Sequence, residues 1–175
     1  MARADLKVIG PCAIFPRYLV AGGTAIEAGE PVHSVATSSS GAASANTVVL
    51  VAADSPVIGT HRFGGVANEP STNVSAGTVA EQFLNCAVPV PNIGRIRGAA
   101  ESATAVDTLT ELALLIGDYV LIDYSATGAS DGGQLYTIKN AASADTSGLE
   151  IVGGNTALST LDVVVDARAY RHDVS

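Results

Sequence analysis

The stretch VDTLTELALLIGDYVLIDYSATGASDGGQLYTIK, residues 106–139, predicts a short helix followed by a β-hairpin. Thr108 and Glu111 have the Thr-x-x-Glu spacing of a capping box, in which each side chain bonds a free backbone N–H at the helix start. The apolar residues at helical spacing are Leu109, Leu112, Ala113 and Ile116. They predict one apolar helix face, and Gly117, which tolerates the left-handed conformation, predicts the helix end.

After Gly117 the period of the pattern changes from that of a helix to that of a strand. Successive side chains of DYVLIDY, residues 118–124, alternate between two faces as strand geometry requires. The segment ATGASDGG, residues 126–133, is polar and rich in glycine, which is typical of a turn region. Residues 135–139 are then predicted to form the returning strand.

The rest of the chain predicts further short strands separated by turns. Pro11 and Pro16 break the apolar pattern of residues 1–20, which indicates an extended arm or an edge strand. TVVLVAA, residues 47–53, is typical of a buried strand, and LDVVVDARAY, residues 161–170, of a half-buried one. We therefore predict a mainly β chain with one short α-helix, either a β-barrel or a β-sandwich of jelly-roll or tulip-like type. Its organisation would be an extended N-terminal arm, residues 1–20, and a single β-rich domain, residues 21–175.

The charge balance argues against nucleic acid and membrane partners. The 175-residue chain has a formal net charge of -8 with only nine basic residues, whereas binding to phosphates or anionic lipids depends on lysine and arginine. The N-terminus lacks the apolar core of a signal peptide, which predicts synthesis in a cytoplasm without export by a standard signal. Cys12 and Cys86 lie in apolar surroundings and favour two buried free thiols over a disulfide.

No motif for catalysis, for a metal or for a cofactor is present, and we expect none of these. A Ser-His-Asp triad around His61 would lack the nucleophile elbow. Asp118 and Asp123 are five residues apart, so on one strand they face opposite sides and do not form a glycosidase pair. A calcium site at Asp131 is conceivable, but the alternating oxygen ligands of a recognised loop are missing.

Two groups of residues are candidates for contact with a protein partner. Arg95 and Arg97 share one face of a strand and would hold an acidic partner by bidentate pairs, or alternatively balance nearby carboxylates of the chain itself. The second group consists of apolar residues in the N-terminal arm: Leu6, Val8, Ile9, Ile14 and Phe15.

Between residues 20 and 171 the chain resembles the head decoration, or cement, proteins of tailed bacteriophages. The stretches that carry this resemblance are IEAGEPV (26–32), VAADSPVIGTHRFGGVA (51–67), VPVPNIGRIRGAAE (88–101), TELALLIGDYVLIDY (110–124) and SGLEIVGGNTALSTLDVVVDARAYR (147–171). The resemblance implies a β-rich homotrimer that binds the major capsid protein on the outer surface of the virion and locks neighbouring capsomers together. On this basis, deletion of residues 1–16 is expected to weaken capsid binding and leave the domain folded.

Two other classes of function remain open at this point. A carbohydrate-binding or host-adhesion module on the virion would need exposed aromatic side chains, and the chain has only five tyrosines and no tryptophan. A hydrolase with an unrecognised site would depend on a residue such as His61.

Overall fold

The computed structural model describes residues 6–21, 26–35, 47–50, 61–71, 79–124, 136–141 and 147–170. Predictions that fall elsewhere, such as the turn at residues 126–133 and the calcium site at Asp131, lie outside the described residues. The described part is mainly β with one short α-helix, which confirms that prediction of fold class.

In chain order the helix and strands are β1 (Lys7–Ile9), β2 (Cys12–Ala21), β3 (Pro31–Val35), β4 (Thr47–Leu50), β5 (His61–Ala67), β6 (Val79–Pro89), β7 (Arg95–Ala99), α1 (Leu109–Leu115), β8 (Ile122–Tyr124), β9 (Tyr136–Ile138), β10 (Leu149–Asn155) and β11 (Thr160–Val165). Short 3-10 helices at Ala103–Ala105, Thr156–Leu158 and Ala167–Tyr170 connect or follow them.

The strands form three groups. An antiparallel four-stranded sheet has the order β1-β7-β11-β10. The pairings of the second group run from β2 through β4, β3 and β5 to β6, which pairs again with β2. The third group is the hairpin β8–β9, which the sequence predicts, and its register pairs Ile122 with Ile138.

A common core joins these groups. The buried side chains that form it are Leu6, Phe63, Val66, Ile96, Ala100, Val106, Leu112, Val120, Ile122, Tyr136, Ile138, Leu149, Ile151, Leu161, Val163, Val165 and Ala169. They come from β5 in the second group, from the four-stranded sheet and from the hairpin, so these parts fold around one apolar interior.

The N-terminal segment, for which the sequence predicts an extended arm or an edge strand over residues 1–20, pairs with other strands of the same chain where the structure describes it. β1 pairs with β7, and β2 runs along β6 from Cys12 opposite Pro89 to Ala21 opposite Val79. Leu6 is only 2% exposed and belongs to the core. The extended conformation follows from the prolines and apolar residues, but those apolar residues find their partners within the chain.

The start and end of α1 agree with the sequence, whereas its buried face does not. The Thr108 hydroxyl accepts the Glu111 N–H at 3.2 Å, and Glu111 Oε2 accepts the Thr108 N–H at 3.1 Å, which confirms the capping box. Gly117, with φ of +94°, follows the helix as predicted. Leu112 and Leu115 pack against the core, but Leu109 is 76% exposed and Ile116 is 53% exposed.

The predicted apolar face was wrong at three of its four positions, since Ala113 is exposed together with Leu109 and Ile116. Leu109 is its first residue, and Ile116 has already left the helix with ψ of 126°. The buried side of the helix is formed by Leu112 and Leu115, three residues apart, which pack on the core where α1 lies against β10.

Candidate partner-binding surface

The pairing of β1 with β7 brings together residues from the two candidate groups. Lys7 lies opposite Arg97 and Ile9 lies opposite Arg95, while Val8 lies opposite Ile96. Ile96 is completely buried and Val8 packs against the core, so this row of side chains points inward. Because neighbouring residues of a strand face opposite sides, the row with Lys7, Ile9, Arg95 and Arg97 lies on the outer face of the sheet. We call these four residues the β1–β7 face.

The β1–β7 face is basic in an acidic protein. Three of the nine basic residues of the chain lie on it, and the chain as a whole carries a formal charge of -8. Lys7 and Arg95 are exposed, and Ile9 between them is half-buried. A cluster of positive charge next to apolar surface favours a partner that is acidic and itself partly apolar.

Arg97 differs from Arg95 because it is held by a carboxylate of its own chain. Asp162, opposite Arg97 on β11, is only 3% exposed and accepts two hydrogen bonds from the guanidinium, at 2.6 Å from Nε and 2.8 Å from Nη2. The hydrogen bond and the charge of Asp162 raise the pKa of Arg97 above its ordinary value. Arg97 therefore balances a carboxylate of its own chain, which is one of the two alternatives, whereas Arg95 is exposed to solvent.

The other predicted contact residues are divided between core and surface. Leu6 is buried in the core of the chain, and the Val8 side chain packs against the same core. Ile14 is 59% exposed and remains a candidate. Phe15 lies in β2 opposite Cys86, and its side chain is outside the described set.

A cleft of about 330 Å³ opens beside the β1–β7 face, on the other side of β1. Its walls are formed by Leu6, Lys7, Val8, Cys12, Ile14, Ala28, Gly29, Val66, Ala67, Asn68 and Ala87. Most of these side chains are apolar, and Lys7 belongs both to the cleft and to the β1–β7 face. The cleft volume is at the lower end of the ~300–1,000 Å³ typical of ligand pockets.

Cys12 and Cys86 are free thiols in different environments, which corrects the prediction that both are buried. Cys12 is exposed at the cleft, whereas Cys86 is buried. Cys12 lies opposite Pro89 and Cys86 opposite Phe15, so the two cysteines are offset by three positions along β6. Three positions along a strand are about 10 Å, whereas the Cα atoms of a disulfide lie no more than ~6.8 Å apart.

We expect thiol reagents to label Cys12 and leave Cys86 unmodified in the folded protein. Burial, followed by the charge of Glu69, raises the pKa of Cys86 to about 12, so its reactive thiolate is scarce at neutral pH. Intact mass after N-ethylmaleimide treatment at pH 7 should show one adduct, and two adducts after unfolding in urea. Two adducts at equal rates in the folded chain would contradict the burial of Cys86.

The residues considered for catalysis and metal binding are not assembled into a site in the described part. Asp118 is half-buried, and Asp123 forms an ion pair with Lys139 at 3.7 Å. His33 is buried on β3, and the His61 side chain lies outside the described set. Among the residues that the structure describes, no three His, Cys, Asp or Glu side chains are grouped to hold a metal ion. The same residues contain no helix that is long and apolar enough to cross a membrane.

Sequence reasoning missed Lys7 and Asp162. The alternation of side chains along β1 and β11 indicates which face of its own strand each residue lies on. It does not indicate which other strand is the neighbour of β1 or of β11. Asp162 is 65 positions from Arg97, and only the register of β7 with β11 joins them.

Comparison with known proteins yields no match to a family model, a curated protein or a solved structure. The structural features that bear on function are therefore the β1–β7 face and the adjoining cleft.

Proposed function

We propose that this chain is a non-enzymatic viral structural protein that binds the outer surface of a phage capsid and cements neighbouring capsomers as a homotrimer. The β1–β7 face is the observation that supports a protein-binding role most directly, since it combines exposed cations with apolar surface in an otherwise acidic chain. We infer that the partner is a viral capsid protein from the resemblance of residues 20–171 to decoration proteins.

The β1–β7 face would act by charge complementarity and by burial of apolar surface. An acidic patch on the major capsid protein is attracted to Lys7 and Arg95, which raises the rate of encounter and selects the orientation. Arg95 can bind a carboxylate through two parallel hydrogen bonds, and Ile9 is covered when the surfaces meet. Because stable interfaces bury about 800 Å² on each partner, one narrow face binds weakly, and a trimer gains affinity by engaging several faces at once.

We further propose that the five strands of the second group close into a small barrel with jelly-roll or tulip-like connections. The return of the pairings from β6 to β2 supports closure. Its shortest pairings are β2–β4, β3–β4 and β5–β6, which are joined by two register pairs each. Amide hydrogen exchange should therefore be fastest along these three pairings.

Capsid shells from the source virus that lack this chain provide the test of the binding surface. Arg95→Glu should weaken cosedimentation with the shells by about tenfold or more, because reversing a charge opposite an acidic patch costs several kcal/mol. Arg168→Glu is the charge-reversal control away from the β1–β7 face, since Arg168 is exposed on the 3-10 helix Ala167–Tyr170, where it forms an ion pair with Asp166. Equal binding by both variants and the native chain would refute the assignment of this face.

The copy number of the chain in gradient-purified virus particles tests the location. A cement protein distributed over the whole shell should be present at about one chain per major capsid subunit by quantitative mass spectrometry. A handful of copies would indicate a vertex or tail position instead, and absence from the particle would contradict the proposal.

Two of the described tyrosines, Tyr136 and Tyr170, give the carbohydrate-binding alternative no support. Tyr136 is 1% exposed in the core, and the Tyr170 hydroxyl donates to the Pro89 carbonyl at 2.9 Å while its ring packs against Phe63. Side chains held in this way are not presented for stacking on sugars.

A further inference from the structure

We propose that the cleft beside β1 receives a short extended segment of the capsid partner, which adds a strand to the free edge of β1. This inference rests on the proposed function and names how the partner is held. Among the described strands β1 pairs with β7 alone and forms one edge of the four-stranded sheet. The free edge is the side that faces the cleft, whose wall includes Leu6, Val8 and Gly29.

The direction of the backbone groups supports strand addition at Val8. Ala100, which follows β7, donates its N–H to Ser159 at the start of β11. The N–H and C=O groups of successive residues on a strand point to opposite sides. Those of Ile96 therefore also point to β11, and those of Arg95 and Arg97 point to β1. Lys7 and Ile9 therefore form the hydrogen-bonded pairs with β7, which leaves the N–H and C=O of Val8 pointing to the other side.

The hydrogen bond of Leu6 confirms this direction independently. Its N–H, two residues before that of Val8, donates to the Gly29 carbonyl at 3.0 Å and not to β7. Groups two residues apart on a strand point the same way, so the Val8 N–H and C=O are directed to the cleft side. An added strand would use these two groups, as peptides do when they bind at a sheet edge.

The walls of the cleft and the charge at its edge define the chemistry of the segment. Ile14, Val66 and Ala87 provide apolar walls, and the cleft volume of about 330 Å³ admits only a short piece of chain. Lys7 stands where the cleft meets the β1–β7 face, so an acidic residue of the segment would be bound there. A partner whose carboxylates bind Arg95 would pass over β1 beside Lys7 to reach the cleft. Its contact with the β1–β7 face and its contact in the cleft would therefore be continuous.

The exposed thiol of Cys12 allows the cleft to be blocked without mutation. A biotin-maleimide adduct on Cys12 should weaken cosedimentation with shells that lack this chain by about tenfold, because two backbone hydrogen bonds and the apolar contact are lost. The matched control carries the same adduct at exposed Ala103→Cys in a Cys12→Ser chain and should bind normally. Shell binding should also slow N-ethylmaleimide labelling of native Cys12 by about tenfold, since a strand in the cleft covers the thiol.

A proline variant tests the backbone contact itself. Val8→Pro removes the N–H that faces the cleft, at an edge position where proline leaves the pairing with β7 intact. Val8→Ala removes a similar part of the side chain and keeps the N–H. We expect Val8→Pro to bind shells about tenfold more weakly than Val8→Ala, with circular dichroism used to verify that both are folded.

The outcomes separate this inference from the proposed function. If Arg95→Glu abolishes shell binding while the Cys12 adduct binds normally and Cys12 labelling is not slowed by shells, strand addition is wrong and the β1–β7 face stands. Should the native chain fail to bind shells at all, the proposed function is overturned, and strand addition from the capsid with it. If Val8→Pro does not fold, the adduct and labelling experiments decide the question.

Discussion

Deletion of residues 1–10 should destabilise the protein by about 4 kcal/mol or more, because it removes a buried leucine together with a strand of the four-stranded sheet. Leu6 is 2% exposed, and its Cδ2 atom occupies the space above Gly98, where a Cβ atom would collide with it and contact Ile138. Losing this side chain alone costs ~2–5 kcal/mol in a well-packed core. Val8 packs against the same core, and the edge of β7 would be uncovered.

Urea unfolding of the truncated and native chains measures this loss. Leu6→Ala should reproduce about half or more of it, whereas Lys7→Ala, at an exposed position on the same segment, should change stability by less than ~0.5 kcal/mol. The sequence alone led to the expectation that a chain without residues 1–16 stays folded and only loses partner binding. An unchanged urea midpoint for the protein without residues 1–10 would contradict the position of Leu6 in the core.

Local features of the fold could be predicted because their causes lie within a few residues. The capping box joins Thr108 to Glu111, and the glycine that ends the helix follows directly after Ile116. The hairpin β8–β9 could be predicted from the alternation of its strands and from the glycine-rich, polar sequence between them. The buried face of α1 was predicted less well because it depends on where β10 lies against the helix.

Long-range register could not be predicted from these patterns. Nothing in the pattern of residues 6–9 indicates that β7, almost ninety positions away, is their neighbour. The apolar residues of the N-terminal segment were therefore assigned to a partner, although the chain itself covers Leu6 and Val8. The candidate surface was found only in part for the same reason, since alternation placed Arg95 and Arg97 on one face but did not reveal Lys7 or Asp162 beside them.

Replacement of Arg97 by alanine should destabilise the fold by about 2–3 kcal/mol, whereas Arg95→Ala should change stability by less than ~0.5 kcal/mol. The two arginines lie on the same face, two residues apart, and differ in their partners. Asp162 is 3% exposed, and each of its carboxylate oxygens accepts a hydrogen bond from Arg97. Without Arg97 the Asp162 carboxylate stays buried and loses this counter-charge. We place the cost below the ~3–5 kcal/mol seen for fully buried pairs, because the Arg97 side chain is 38% exposed and water reaches it.

The double variant Arg97→Met/Asp162→Leu distinguishes the penalty of an unpaired charge from the value of the pair itself. Replacing both members by apolar side chains leaves no buried charge, so its stability should return to within about 1 kcal/mol of the native chain. Urea unfolding of the four chains gives the comparison, and equal effects of Arg95→Ala and Arg97→Ala would contradict a structural role for the Arg97–Asp162 pair. Shell binding is then measured under conditions in which all four chains are folded. The order of effects on binding should be opposite to that on stability, with Arg95→Ala the most affected, because Arg95 is the exposed cation and Arg97 is held by Asp162.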